Sequence, residues 1–137
     1  MNMAGYSGTS LLKKLGIKTG MRMVVYEAPS NYWELIFPIP EEVQVIQRPL
    51  TGTMDFVHLF AKEKKVYEKE FVRCRKLLRK DGMLWVSWPK KASKMVTDLD
   101  ENLIREFGLE NGLVDVKVCA VNDIWSGLKF VFRLSDR

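Results

Sequence analysis

The sequence predicts an α/β fold in which a mostly parallel sheet lies between two layers of helices and ends in an antiparallel hairpin. Three observations predict it. The apolar runs Met21–Tyr26 and Met54–Phe60 lack polar alternation, which is typical of parallel strands that helices cover on both faces. The amphipathic segment Lys64–Arg79 joins the second run to a further apolar run, so a right-handed strand–helix–strand unit is expected. Two alternating segments, Leu113–Val121 and Gly127–Leu134, follow near the C-terminus.

The remaining elements follow from local stop signals. Gly16 ends a short first helix, Pro38 ends a short second helix, and Asp81-Gly82 ends the long third helix. The predicted helices cover Thr9–Leu15, residues 32–37, Lys64–Arg79 and residues 99–107. The predicted strands cover Met21–Tyr26, Val43–Ile46, Met54–Phe60, Met83–Trp88, Leu113–Val121 and Gly127–Leu134.

Side-chain caps are predicted for three of these helices. A Ser, Thr, Asp or Asn residue just before a helix accepts hydrogen bonds from its first free N–H groups. The expected caps are Ser7 or Thr9 for the first helix, Ser30 or Asn31 for the second, and Asp98 with Glu101, as a capping box, for the last.

The closing hairpin is predicted from alternation and from its short connection, Asn122–Ser126. Alternation places every second residue of a strand on the same face. One strand is therefore expected to group Val114, Val116, Val118 and Ala120, and the other to point Leu128, Phe130, Phe132 and Leu134 inward.

Length and composition indicate one globular domain over residues 1–137, with residues 1–8 expected to be disordered. The 137 residues are 47% hydrophobic and 28% charged, close to averages for globular domains. No apolar run approaches the roughly 20 residues of a membrane span, and no secretory signal is visible. We therefore expect a cytoplasmic protein without a membrane partner.

The two cysteines and the single histidine predict neither a metal site nor a disulfide framework. Cys74 and Cys119 lack the spacing of metal ligands, and only His58 could join them. We expect two reduced thiols. His58 falls inside a predicted strand, which favours a hydrogen-bonded core residue over a catalytic base, since a base should lie at the carboxyl end of the strand.

The net charge of +5 permits weak attraction to anions. Lysine and arginine are spread over several elements and are mixed with glutamate, whereas a nucleic-acid interface would gather them on one face with exposed aromatic residues. Nucleic-acid binding is therefore not expected.

Two segments carry a resemblance to a known family. Leu11–Val25, LLKKLGIKTGMRMVV, resembles the segment that leads into the first strand of class I S-adenosylmethionine-dependent methyltransferases. Asp55-Phe56-Val57, followed by Leu77–Leu84, resembles their later strand–helix–strand segment, and the closing hairpin resembles their reversed last strand. The resemblance implies a reduced, Rossmann-like, methyltransferase-type three-layer sandwich, shorter than the family by about one strand and one helix.

The cofactor features that this resemblance implies are missing or changed. The family places a glycine-rich loop after the first strand, but here residues 27–32 contain no glycine, and Pro29 removes a backbone donor. The family ends its second strand with an acidic residue that holds the ribose hydroxyls, but here Gln47-Arg48-Pro49 follows. We therefore expect S-adenosylmethionine to bind weakly or not at all, and we predict no cofactor.

The chain is also similar to a bacterial family that is defined only as a domain of unknown function. The similarity is carried by GYSGT at Gly5–Thr9, DGMLWVSWPKKAS at Asp81–Ser93, GLVDVKVCAV at Gly112–Val121 and WSGLKFV at Trp125–Val131. This resemblance implies no activity.

Polar, cationic and aromatic residues collect where the predicted parallel strands end. Ligands of doubly wound sheets bind at these carboxyl ends. The candidate ligand-binding residues are Glu27, Ser30, Asn31, Trp88, Lys90, Lys91 and Ser93, with Lys62 near them. They could hold a small anion or a nucleotide, and the alternative is an ordinary solvated loop face.

Within this set, Lys90, Lys91 and Ser93 are predicted to form an anion-binding edge beside Trp88. Pro89 restricts the chain before the lysines, and the helix that begins near Leu99 should direct its positive N-terminus to the same region. Trp88 could stack on a ligand ring or close the core.

Trp125 lies in the predicted hairpin turn. It could pack back on the sheet, or it could be an exposed anchor for a protein partner.

Two functions remain open at this level. One is a non-catalytic module that binds a small ligand or a protein partner on a methyltransferase-like scaffold, with no catalytic residues. The alternative is an enzyme, either a degenerate methyltransferase or another nucleotide-cofactor enzyme, with a non-standard cofactor site. A pocket with convergent polar groups beside Glu27 and Trp88 would separate them.

Overall fold

The computed structural model describes residues 9–137, and the predictions for residues 1–8 and for the Ser7 cap lie outside this range. Six strands form one sheet in the order β2-β1-β3-β4-β6-β5. The strands are β1 (Arg22–Tyr26), β2 (Gln44–Val45), β3 (Met54–Phe60), β4 (Leu78–Pro89), β5 (Leu113–Ala120) and β6 (Trp125–Phe132). The helices are α1 (Leu11–Leu15), α2 (Tyr32–Leu35), α3 (Lys64–Leu77) and α4 (Glu101–Glu110), with short 3₁₀ turns at Lys91–Ser93 and Leu134–Asp136.

The predicted sheet topology is confirmed. Strands β2, β1, β3 and β4 pair in parallel, and β6 pairs antiparallel with both β4 and β5. The chain therefore has the predicted α/β fold with a C-terminal antiparallel hairpin.

Each face of the sheet buries its own apolar cluster. On one face, Tyr67 and Phe71 of α3 and Ile104 of α4 pack with strand residues, among them Leu59 and Phe130. On the other face, α1 and α2 pack with residues that include Phe56 and Trp85. The Trp85 indole N–H donates to the backbone oxygen of Leu15 over 2.9 Å, which ties α1 to β4. The three layers follow from these two clusters.

The first helix is capped one residue later than predicted. Ser10, rather than Thr9, precedes α1, and its hydroxyl accepts a hydrogen bond from the Lys13 N–H over 3.3 Å. Gly16 ends the helix with a φ of +83°, a left-handed conformation that glycine adopts without a side-chain clash.

The second helix is shorter than predicted. It covers four residues and stops at Leu35, so the predicted extension to Phe37 is wrong, and Asn31 makes no side-chain capping bond. A proline disfavours helical backbone in the residue before it, which explains why Phe37, followed by Pro38, leaves the helix. Phe37 is instead 79% exposed.

The third helix ends earlier and β4 begins earlier than the helical spacing predicts. Residues 78–82 are extended, because Leu78 pairs with Met54 of β3 before the register shifts at Phe56. At Gly82 an added Cβ would lie 2.7 Å from the Met54 carbonyl oxygen. Glycine there permits a close backbone approach rather than a helix stop at Asp81-Gly82.

The predicted capping box of α4 is wrong. Asp100 caps α4, since its carboxylate accepts a hydrogen bond from the Leu103 N–H over 2.8 Å. Asp98 instead accepts one from the Lys64 N–H over 2.7 Å and so serves the first turn of α3. Glu101 forms an ion pair with Arg105.

The predicted grouping of hairpin residues on one face agrees with the observed burial only in β6. Leu128, Phe130 and Phe132 are buried, but Leu134 lies beyond the strand and is 80% exposed. In β5 the register shifts between Asp115 and Lys117, and β5 lies at the edge of the sheet. Both features break the expected grouping, so Val116 and Val118 are exposed. Over residues 9–137, no helix has the length and apolar character needed to cross a bilayer.

Candidate functional site

The carboxyl edge of the sheet contains a switch point between β1 and β3. The chain leaves β1 through α2 on one face and leaves β3 through α3 on the other, so the two connections diverge. Doubly wound sheets bind ligands at such a point. A cavity of about 310 Å³ lies here, and we call it the switch-point cavity. It is lined by Glu27, Pro29, Phe60, Ala61, Lys62, Glu63, Val66 and Trp125.

The loop after β1 is held in place without glycine. Glu27 has a φ of +58°, a conformation that non-glycine residues rarely adopt. The Tyr32 N–H donates to the Pro29 carbonyl oxygen over 3.0 Å, and the Tyr32 side chain is fully buried. This loop therefore presents a carboxylate and a proline ring where the resemblance implies bare glycine backbone.

A buried polar chain lies beneath this loop. The Tyr32 hydroxyl is 2.9 Å from Nδ1 of His58, and the Ser87 hydroxyl is 2.8 Å from Nε2 of the same ring. Phe60 stacks on His58 with ring centroids 4.3 Å apart. Burial lowers the pKa of His58 to about 3 and raises that of Tyr32. A neutral imidazole has one donor and one acceptor, so the two hydroxyls satisfy it, and the predicted core role of His58 is confirmed.

Trp125 packs back on the sheet. It is 8% exposed and meets Phe60 edge-on, with ring centroids 5.1 Å apart. The backbone N–H of Trp125 donates to the Asn122 side-chain oxygen over 2.8 Å. Of the two roles that the sequence left open, Trp125 therefore takes the packed one, because β6 begins at Trp125 and turns the indole inward as a wall of the switch-point cavity.

A second cavity, of about 470 Å³, lies between the end of β4 and the start of α4, and we call it the β4 cavity. It is lined by Trp88, Pro89, Lys90, Lys91, Leu99, Asp100, Glu101, Asn102 and Ser126. Lys90 and Lys91 form no salt bridge with any residue in the range 9–137. Of the two acids in the lining, Glu101 forms an ion pair with Arg105, whereas Asp100 accepts the capping hydrogen bond of α4 and keeps its negative charge.

The structure divides the predicted site residues between these two cavities. Glu27 and Lys62 line the switch-point cavity, whereas Trp88, Lys90 and Lys91 line the β4 cavity, where Trp88 is only 6% exposed.

The other three predicted residues line neither cavity. Ser30 and Asn31 are exposed in the loop before α2. The Ser93 hydroxyl donates to the Lys90 carbonyl oxygen over 2.6 Å and accepts from the Met95 N–H over 3.2 Å, so it stabilises the turn after β4.

Sequence reasoning missed two smaller cavities at the same edge. The first, of about 280 Å³, is lined by Tyr26, Gln47, Arg48, Pro49, Arg73 and Leu77, and we call it the arginine cavity. The second, of about 260 Å³, is lined by Tyr26, Glu27, Leu59, Val66, Glu70 and Arg73, and we call it the bridging cavity. Arg73 lies on a charged helix face that is typical of a solvated surface. The sequence signal that could have found the arginine cavity was Arg48, a basic residue after β2 where the resemblance implies an acidic one.

No group of three or more potential metal ligands is found among residues 9–137. Cys74 and Cys119 are free thiols, and burial raises the pKa of each.

Comparisons with known proteins identify the fold. No protein-family model and no curated protein matches the chain. A methyltransferase from Aquifex aeolicus that depends on S-adenosylmethionine matches with a TM-score of 0.58 and 12% identity, over 90% of this chain and 88% of that one. A complex between the Haloferax volcanii Trm112 methyltransferase activator and a protein assigned as a methyltransferase matches with a TM-score of 0.63 and 10% identity, over 89% and 86%. The DhpI–SAH complex matches with a TM-score of 0.62 and 10% identity, over 90% and 81%.

These similarities concern the fold. The chain has a Rossmann-like, methyltransferase-type fold, as the sequence resemblance implied. At 10–12% identity, activity does not follow from the scaffold, because one fold hosts many functions.

Proposed function

We propose that this chain, as a single Rossmann-like domain of the cytoplasm, is a non-catalytic module that binds a small anionic ligand or a nucleotide on a methyltransferase-like scaffold. The β4 cavity carries the proposal. Lys90 and Lys91 lie at its rim without ion-pair partners in the described range 9–137, and Trp88 and Leu99 form apolar wall beside them. A cationic rim around a partly apolar cavity suits an anion that carries an organic group.

The first turn of α4 supports the same assignment. Asp100, Glu101 and Asn102 all line the cavity, so the amino end of a ten-residue helix faces it. The free N–H groups of a helix N-terminus attract negative charge. Asp100 satisfies only one of them, that of Leu103.

The test is binding of ATP and inorganic pyrophosphate, measured by thermal shift and titration calorimetry. The double variant Lys90→Ala, Lys91→Ala should bind at least tenfold more weakly while its melting temperature without ligand stays within about 1–2 °C of wild type. Lys91 is exposed, Lys90 is only half-buried, and neither forms an ion pair within residues 9–137, so their side chains contribute little to stability. Wild-type binding should weaken with added salt.

The matched control removes two exposed lysines that lie elsewhere in the chain. Lys13→Ala, Lys18→Ala gives the same change in net charge in the segment before β1. It should bind both probes as wild type does. If the Lys90 and Lys91 double variant also binds as wild type does, the proposal is refuted.

An enzyme with a non-standard cofactor site is the second candidate, and the switch-point cavity favours it. Glu27 and Lys62 face an aromatic wall there, at the edge where this architecture binds cofactors. The test is release of S-adenosylhomocysteine from S-adenosylmethionine during incubation with pools of small-molecule and protein acceptors. Turnover that is lost in Glu27→Gln would establish a degenerate methyltransferase at this cavity, and no turnover above a no-protein blank would reject the methyltransferase form of this candidate.

A protein partner is also proposed, on narrower grounds. One similar structure is a complex with a methyltransferase activator. In this chain β5 is an edge strand that exposes Val116 and Val118, and such edges can pair with another chain.

A further inference from the structure

The arginine cavity brings two guanidinium groups to the carboxyl ends of β1 and β2. Arg48 enters it from the segment after β2, and Arg73 enters it from α3. Tyr26, the last residue of β1, also lines the cavity, and the Arg73 guanidinium carbon is 5.6 Å from the centre of its ring. Gln47 adds an amide to the lining, which contains no carboxylate.

The charge of this cavity is only partly balanced. Arg73 forms an ion pair with Glu70 at 3.1 Å, and Glu70 lines the neighbouring bridging cavity. Arg48 forms no ion pair within residues 9–137. Net positive charge therefore remains where the family resemblance implies an acidic residue.

The segment that carries Arg48 is anchored at both ends. The Ile46 N–H donates to the Met23 carbonyl oxygen over 2.8 Å, and the Gly52 N–H donates to the Lys76 carbonyl oxygen of α3 over 2.9 Å. The second bond fixes the segment against the helix that carries Arg73. Backbone hydrogen bonds thus hold the elements that carry the two arginines together, and both arginines line one cavity.

The cavities of this edge are neighbours that share lining residues. Tyr26 and Arg73 line both the arginine and the bridging cavity, and Glu27 and Val66 line both the bridging and the switch-point cavity. Along this edge the three cavities therefore offer first Arg48 and Arg73, then two carboxylates, and then apolar and aromatic walls. Guanidinium forks bind phosphate, carboxylates accept hydrogen bonds from sugar hydroxyls, and apolar walls pack against a base.

We propose that Arg48 and Arg73 bind the phosphate of a nucleoside monophosphate, with its sugar beside Glu27 and Glu70 and its base in the switch-point cavity. This assignment rests on the proposed function for the class of ligand, but it places the phosphate at a site distinct from the β4 cavity. In doubly wound sheets an arginine in place of the acid near the ribose accommodates a ribose phosphate, and Arg48 follows β2 at the corresponding point.

The experiment titrates adenosine, adenosine 2′-monophosphate and adenosine 5′-monophosphate into the full chain by calorimetry. Wild type should bind at least one monophosphate tenfold or more tightly than adenosine. Arg48→Gln should remove most of this preference and leave adenosine binding unchanged. Arg48 is exposed and makes no ion pair in the described chain, so this variant should fold as wild type does. Arg48→Lys should retain part of the preference, because it keeps the charge but loses the fork.

The Lys90→Ala, Lys91→Ala variant separates the two proposals. It should keep the phosphate preference if the phosphate binds between Arg48 and Arg73. A preference that survives Arg48→Gln but disappears in the lysine variant would overturn this inference and support the β4 cavity. Equal affinity of wild type for adenosine and both monophosphates would also overturn it, while pyrophosphate binding at the β4 cavity would still stand or fall by its own test.

Discussion

His58 is a buried polar residue that stabilises this fold only in its neutral state. Its two ring nitrogens meet the hydroxyls of Tyr32 and Ser87, and the imidazole is fully buried. These hydrogen-bonded side chains connect α2, β3 and β4 across the core beneath the switch-point cavity. A second proton on the ring would turn its acceptor into a donor and would place a charge in an apolar cluster.

The pH dependence of unfolding should therefore show this histidine. Its pKa is about 3 in the folded chain against a usual value of 6.5, so only the unfolded chain takes up the proton between these values. Stability is fully present above about pH 6.5 and falls toward pH 3 by up to about 1.4 kcal/mol per pH unit. Urea denaturation from pH 7.5 to 5 should show a smaller loss for His58→Gln than for wild type. Identical pH slopes would contradict the assignment.

Gly108 tests how tightly α4 packs on the sheet. A Cβ at this position would lie 2.2 Å from Cε1 of Phe130, which is fully buried in β6. Alanine normally stabilises a helix by about 1 kcal/mol relative to glycine, whereas overpacking costs about 1–3 kcal/mol. Gly108→Ala should therefore lower the free energy of unfolding in urea, and Glu106→Ala, at an exposed position of the same helix, should not. An increase for Gly108→Ala would show that Phe130 can move aside.

At the scale of elements, the sequence predicts existence and order well and boundaries poorly. Apolar runs and helical spacing are local signals, and they identify β1, β3, α3 and the hairpin. The wrong boundaries and faces arise where a residue distant in sequence determines the local backbone conformation. Leu78 is extended because it pairs with Met54, and β5 loses its alternation at the register shift after Asp115. No pattern within either segment contains that information.

The candidate site follows the same rule. The carboxyl-edge residues Glu27, Trp88 and Lys90 were predictable, because strand ends and ligand edges follow from topology. The sequence could not predict that Arg48 and Arg73 line one cavity. Their common position depends on a hydrogen bond between Gly52 and Lys76, which joins segments that are distant in sequence.

Asp98 provides a prediction at this scale, because it caps a helix far from it in sequence. Asp98→Ala should lower the free energy of unfolding by about 1 kcal/mol, the usual contribution of a cap. Amide hydrogen exchange should speed up over residues 64–67 of α3 and not over residues 101–104 of α4. Asp100→Ala should show the opposite pattern, since Asp100 caps α4. Faster exchange of α4 in the Asp98 variant would restore the capping box that the sequence suggested.

For the whole molecule, the decisive feature is a methyltransferase-type sheet whose carboxyl edge carries different chemistry. Glu27 and Pro29 occupy the loop after β1, and Arg48 follows β2. The edge as a whole offers cations at Arg48, Lys62 and Lys90, with the carboxylates of Glu27 and Glu70 among them. This order of charges suits phosphates better than the methionine portion of a sulfonium cofactor, which needs open backbone after β1.

S-adenosylmethionine should accordingly bind weakly or not at all. The loop after β1 lacks the glycines that let backbone approach the cofactor, and no acidic residue follows β2 to hold the ribose hydroxyls. Calorimetric titration should show no saturation in the micromolar range. A micromolar dissociation constant, about −8 kcal/mol of binding free energy, would show that the loop after β1 binds the cofactor by other means. Loss of that affinity in Glu27→Gln or Glu70→Gln would then identify which carboxylate holds the ribose, and the enzyme alternative would gain the cofactor that it requires.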